Sequence, residues 1–236
     1  MSYLGAEEFI IAVLMVGSFL YGVCIQKYKL FPLKQLVQVK KRLQGPAAVD
    51  SLVLPLHVSR RSLFELFPRQ ADVVMVGDSL TGYVEWDDLF PQLSIANRGI
   101  NGDTTYGLRQ RIPGILATKA KRAIICIGLN DFIAGRSVND AFTDYTASVE
   151  ALLEAGLQVH ILSTVLSRSP AANSKILELN KRLLPYAASK GLTFTNLNAL
   201  LAVDDMLSTD FTYDGTHLRA AAYVEWQKAI AALVTA

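Results

Sequence analysis

The sequence predicts a three-layer α/β/α fold built on a mostly parallel five-stranded sheet, preceded by an N-terminal apolar helix. Three observations lead there. Short apolar segments rich in β-branched residues recur from about residue 71 onward. Helical stretches separate them, giving a β-α-β-α order with a covered parallel sheet. The segments lack a polar face, as strands do when helices pack on both sides.

The expected strands are 73–76, 93–96, 123–127, 159–162 and 192–194. The third is the clearest, being apolar throughout. Helical character falls at 108–116, 139–155, 171–189 and 218–233. Before the first strand, a helical stretch over 56–67 stops at Pro68, and Gly45-Pro46 punctuates the chain as a linker. The expected organisation is therefore an N-terminal helix with a basic extension over 1–45, a linker and helical lead-in over 46–70, and a catalytic domain over 71–236.

The chain has 236 residues, enough for one α/β domain and short for two. Apolar residues make up 51% and charged residues 19%, which excludes a disordered or fibrous chain. Mean hydropathy is high for a soluble domain, at +0.29. Much of the excess lies in residues 9–25, FIIAVLMVGSFLYGVCI, a run without charge or proline. Its length is at the lower edge of the roughly 17–25 residues that span a bilayer. Glu7 and Glu8 precede it and no small-x-small site ends it, unlike a cleavable signal. A single-pass membrane anchor is the expectation, with a buried or partner-covered helix as the alternative. Lys27, Lys29, Lys34, Lys40, Lys41 and Arg42 all follow the run, so the positive-inside rule puts the catalytic part on the cytoplasmic side, the extracytoplasmic side being the alternative.

A net charge of +2 gives no global basic field, so no nucleic-acid partner is expected. Cys24 and Cys126 imply no disulfide framework. Three scattered histidines without HExxH form no metal set, and neither a P-loop nor GxGxxG is present, so no metal or cofactor is expected.

In open parallel sheets, sites form beyond the carboxyl ends of strands. The first strand runs into Gly77-Asp78-Ser79-Leu80. The second runs into Asn97-Arg98-Gly99-Ile100-Asn101-Gly102-Asp103-Thr104, and the third into Gly128-Leu129-Asn130-Asp131. Far downstream, Asp214-Gly215-Thr216-His217 precedes the last helix. Singly these are ordinary signals: Ser79 is a common helix cap, Gly102 a common turn residue and Asp214-Gly215 a common turn. Together, in this order, they resemble the four sequence blocks of the SGNH, or GDSL-type, hydrolases. The loop 97–105 is similar to the acetylhydrolase and lysophospholipase-like branch in particular. The resemblance covers the chain from about residue 73 to the last helix and leaves 1–70 unexplained. It implies an SGNH-hydrolase-like, flavodoxin-like sheet.

A serine hydroxyl needs an adjacent base to attack a carbonyl. His217 is the candidate base, and Asp214, three residues earlier, can hold its other ring nitrogen. The Gly-x-Ser-x-Gly elbow of α/β-hydrolases is absent, since Thr81 occupies its last position. The resemblance further implies an oxyanion hole of Ser79 N–H, Gly102 N–H and the Asn130 side-chain amide. Tyr83 and Trp86 are candidates for pocket walls or for core, and Arg98 and Arg109 for contact with an anionic leaving group. His57 reads as structural or exposed and His160 as a satisfied core residue.

The expected function is hydrolysis of a small acyl ester through an acyl-serine intermediate. The resemblance points to an acetyl or short chain, carried on a small molecule, a lipid or a glycan. Two alternatives keep the fold: an acyltransferase using the same triad at a membrane, and a catalytically silent binding module.

Overall fold

The computed structural model describes residues 14–18, 20, 21, 27 and 55–235. The chain divides into two compact units, Met1–Pro46 and Ala47–Ala236. In the first unit the described residues are helical; the remainder of the 9–25 run, and the basic extension apart from Lys27, lie outside the described residues. Among the described residues no helix is long and apolar enough to cross a membrane. A span needs about 20 consecutive apolar helical residues. The expectation of a single-pass anchor is therefore corrected, and with it the membrane partner and the orientation drawn from flanking charge.

The first described element of the second unit is helix α1 (Pro55–Leu66), which forms part of the compact body that holds the sheet. Five parallel strands follow: β1 (Val73–Gly77), β2 (Ile95–Gly99), β3 (Arg122–Cys126), β4 (Gln158–Leu162) and β5 (Thr193–Thr195), in spatial order β2-β1-β3-β4-β5. The helices between them are α2 (Ser79–Gly82), α3 (Trp86–Leu89), α4 (Thr105–Arg109), α5 (Ile112–Leu116), α6 (Leu129–Ile133), α7 (Val138–Glu154), α8 (Pro170–Ser189), α9 (Asn198–Leu201) and α10 (Ala220–Thr235). A short antiparallel pair, β6 (Ala202–Val203) and β7 (Met206–Leu207), lies outside the sheet.

The period-two alternation of strands divides the core into two layers. Val74, Val76, Ala123, Ile125, Val159 and Ile161 face α7 and α8, where Tyr145, Val149, Ile176 and Leu183 are fully buried. Val73, Met75, Ile124, Cys126 and Leu162 face the opposite layer, packing with Trp86, Leu201, Trp226 and Ile230. Cys126 is a free, buried thiol.

The single helix expected over 108–116 is two. Thr104 caps α4, its Oγ1 accepting from Gly107 N at 3.1 Å, and α5 restarts with Pro113 in its first turn. Between them Arg111 adopts φ −120°, ψ 15°. Pro113 has no N–H to donate to the carbonyl of Arg109, four residues back, so the helical ladder of α4 cannot run on through it.

Candidate active site

The register aligns Gly77 with Gly99 on one side and with Cys126 on the other, so the loops after β1, β2 and β3 leave the sheet at one edge. A Cβ at Gly77 would stand 2.2 Å from Thr81 Oγ1 and 2.3 Å from Cys126 O. Only glycine lets a helix start so tightly against the neighbouring strand. Asp78 caps that helix, its Oδ1 accepting from Leu80 N at 3.0 Å. Ser79 thus becomes the first residue of α2, buried at the carboxyl edge.

The turn before α10 brings in the other two members. Asp214 Oδ1 accepts from Thr216 N at 2.9 Å and from His217 N at 2.8 Å, a local Asx arrangement. Gly215, at φ +92°, folds it back so that its carbonyl accepts from Arg168 N at 2.7 Å. Thr212 Oγ1 donates to His217 O at 2.7 Å and pins the far side. The imidazole then spans the two partners: His217 Nδ1 is 2.6 Å from Asp214 Oδ2, and His217 Nε2 is 3.1 Å from Ser79 Oγ. A carboxylate on Nδ1 places the proton there and leaves Nε2 free to accept from the hydroxyl. Desolvation pushes the Asp214 carboxyl up, but the bonds from the His217 ring and the two N–H groups outweigh it and hold it at about 2. Tyr213 stacks on the imidazole at 5.9 Å and Tyr83 lies tilted against it at 5.2 Å.

Gly102 and Asn130 meet at the same edge. Gly102 sits at φ +74° in the turn closed by Asp103 N donating to Ile100 O at 3.0 Å, a conformation that favours glycine. Asn130 Nδ2 donates to Asp103 O at 3.0 Å and lies 3.4 Å from Asp78 Oδ2. It therefore bridges the residue after Gly102 and the residue before Ser79. Gly128, at φ +135°, leads into α6; a Cβ there would meet Thr164 Oγ1 at 2.8 Å.

Beneath these loops lies a frame of buried charge. Arg111 donates to Asp103 Oδ2 at 2.8 Å, to Arg98 O at 2.7 Å and to Gly77 O at 2.9 Å. Asp131 accepts from Thr105 N at 2.9 Å, from Thr105 Oγ1 at 2.6 Å and from Arg136, which also binds Asp144. Burial raises the Asp131 carboxyl, with these partners acting in the opposite direction. Burial also lifts Asp78 to about 7; the Leu80 N–H opposes this, and the charges of Asp103 and Asp131 add to it.

Other expected residues divide. Tyr83 is half exposed beside His217, whereas Trp86 is core, its Nε1 donating to Thr81 O at 2.9 Å. Arg98 is buried, its guanidinium carbon 4.5 Å from the Phe64 ring centroid, and Arg109 is spent on Asp144 at 3.0 Å; neither is placed as a leaving-group contact. His57 is buried, not exposed: its Nε2 stands 3.0 Å from Asp103 Oδ1 in a close polar contact without hydrogen-bond geometry. His160 is half-buried with its Nδ1 unpartnered, rather than satisfied. Sequence reasoning missed Arg111, for a lone arginine in a helical stretch carries no signal of an inward guanidinium. Among the described residues no group of histidine, cysteine and carboxylate side chains could hold a metal ion.

A parallel sheet between two helical layers, with a serine, an imidazole and a carboxylate in series at its carboxyl edge, has the parts that nucleophilic acyl chemistry requires. The chain belongs to the GDSL-like lipase/acylhydrolase family, which it matches over residues 74–224. It is similar to the N-acylneuraminate cytidylyltransferase of Streptococcus agalactiae serotype V, 26% identical over 154 residues, covering 64% of this chain and 36% of that protein. The chain thus spans about a third of the length of the curated relatives it matches. Among solved structures, a GDSL-like lipase from Bacteroides thetaiotaomicron shares the fold at a TM-score of 0.67 and 22% identity, covering 75% of this chain and 96% of that one. A lipase/acylhydrolase from Enterococcus faecalis does so at 0.59 and 23%, covering 70% and 95%.

Proposed function

We propose that this chain hydrolyses a small acyl ester, acetyl or short-chain, through an acyl-serine intermediate. One observation carries the reading: the unbroken series from Ser79 Oγ to His217 Nε2 at 3.1 Å and from His217 Nδ1 to Asp214 Oδ2 at 2.6 Å. Attack of Ser79 Oγ on the ester carbonyl passes the hydroxyl proton to His217 Nε2. Asp214 stays ionised and stabilises the imidazolium. The oxyanion is received by Ser79 N–H, Gly102 N–H and Asn130 Nδ2, whose long 3.4 Å contact with Asp78 is the one exchanged. Collapse breaks the ester C–O bond, and the imidazolium returns its proton to the leaving alcohol. Water then attacks the acyl-enzyme, giving its proton to His217, and release of the acid restores the Ser79 hydroxyl.

The short acyl chain rests on the similarity of the loop 97–105 to the acetylhydrolase branch; the cavity beside α2, of about 250 Å³, is left for the alcohol side of the ester. A series of p-nitrophenyl esters from acetyl to decanoyl, run on wild type and Ser79→Ala, tests both points. Cleavage should fall beyond butyryl, and Ser79→Ala should lose at least about 10⁴-fold in kcat. Equal rates for folded wild type and Ser79→Ala would remove the reading.

A further inference from the structure

The cavity beside α2 has a chemistry that the ester reading alone does not use. Its wall is formed by Leu56 and Arg60 of α1, Tyr83 and Asn101, and the backbone of Gly82 and Gly99. It adjoins the candidate site at two points: Tyr83 also lies against His217, and Asn101, whose Nδ2 donates to Tyr83 Oη at 3.0 Å, precedes Gly102. Among the described residues no acidic side chain lines it.

Among the described residues Arg60 is the one charge in that wall and has no carboxylate partner. Its neighbours one helical turn away are Leu56 and Phe64, neither of which can pair with it. The adjacent Arg61, by contrast, is matched by Glu65 at 2.8 Å. A second guanidinium lies close by. Arg60 and Arg98 stand 4.9 and 4.5 Å from the same Phe64 ring, and Arg98 Nε and Nη2 are buried without partners. The other two arginines near Arg98 are already matched, Arg111 by Asp103 and Arg69 by Asp87. Positive charge is thus left uncompensated around a concave surface next to the nucleophile, where field lines concentrate. The unfilled fork of Arg60 suits a bidentate oxyacid.

We propose that this cavity binds an anionic oxyacid group, a carboxylate or a phosphate, carried by the ester substrate, with Arg60 as the residue that selects it. The proposal rests on the hydrolase reading. It adds that α1, which precedes the family match at 74–224, supplies the preference of this chain.

Three aryl acetates that differ in the para substituent test it: phenyl acetate, 4-acetoxybenzoate and 4-acetoxyphenyl phosphate. Loss of phenyl acetate hydrolysis in Ser79→Ala checks the hydrolase reading separately. Wild type should favour one or both anionic esters over phenyl acetate by about tenfold in kcat/KM, and Arg60→Gln should bring that ratio near one. Arg60→Lys should retain part of it, and about 0.5 M NaCl should narrow it. The ester whose ratio collapses in Arg60→Gln identifies carboxylate or phosphate. A ratio unchanged by Arg60→Gln, or no preference in wild type, overturns the proposal. The same contrast is read without turnover by calorimetry: 4-acetoxybenzoate and 4-acetoxyphenyl phosphate are titrated into Ser79→Ala with and without Arg60→Gln. Unchanged affinities for both in the two proteins overturn the pocket even if no ester is hydrolysed.

Discussion

Replacing Arg111 by methionine keeps the length of the side chain and removes every donor. Its guanidinium is 2% exposed and faces a carboxylate, Asp103, that is fully buried. Three bonds vanish together: to Asp103 Oδ2, to Arg98 O and to Gly77 O. Gly77 O keeps a second partner, Ile100 N at 3.1 Å, so its loss is small. The stranded Asp103 charge dominates, and breaking a buried pair on one side costs about 3–5 kcal/mol. For a domain of this size each kcal/mol lowers Tm by about 2–4 °C, so Arg111→Met should unfold about 6–20 °C earlier. Circular-dichroism melting at pH 8 measures it. Asp103→Asn introduced alongside removes that charge, so the double variant should melt above Arg111→Met alone. A Tm for Arg111→Met within about 2 °C of wild type would refute the reasoning, for it would mean that Asp103 is not held by Arg111.

Two further outcomes follow from the same edge of the sheet. Asn130→Ala should lower kcat on an acetyl ester by about 100- to 1,000-fold, as loss of one oxyanion donor does; steady-state kinetics showing an unchanged kcat would remove Asn130 from that role. Asp78, lifted to about 7 in the folded state from an ordinary 3.8, binds more protons folded than unfolded between those values. Wild-type stability should therefore lose ground as pH rises from about 4 to about 7 relative to Asp78→Asn, and the difference should level off above that window. Urea melts of both proteins across pH 4–8 check the slope, and parallel curves would show that Asp78 titrates normally.

Much of the fold was legible because burial on two sides leaves an apolar signature. All five strands lie within a few residues of where their β-branched runs place them. The pair β6 and β7 gave no such signal: its turn residues Asp204 and Asp205 adopt φ +49° and +54° without glycine or asparagine to announce it. The helix over 108–116 was overextended because apolar periodicity continues through Arg111, while Pro113 and the inward guanidinium break it. At the site, Ser79, Asp214, His217, Gly102 and Asn130 were each named from the four blocks, and the structure brings the first three into contact with Asn130 beside them. Arg60 and His57 were not legible as site neighbours, because helix α1 reaches the loop after β2 only through tertiary packing.

The blocks are recognisable for a physical reason that reaches beyond the reacting atoms. In each of the first three, the candidate residue is flanked by a buried carboxylate: Asp78 before Ser79, Asp103 after Gly102 and Asp131 after Asn130. Asp78 caps α2, Asp103 anchors the loop after β2 to Arg111, and Asp131 ties α6 to the start of α4. Each carboxylate fixes the backbone from which its neighbour projects, and so ties three separate loops to one edge of the sheet. Arg111 and Arg136 neutralise two of the three. Asp78 has no arginine of its own, and both other carboxylates push it upward. The electrostatic cost of assembling this edge is thus concentrated at the residue next to Ser79, and that is where a neutral side chain of the same shape should relieve it.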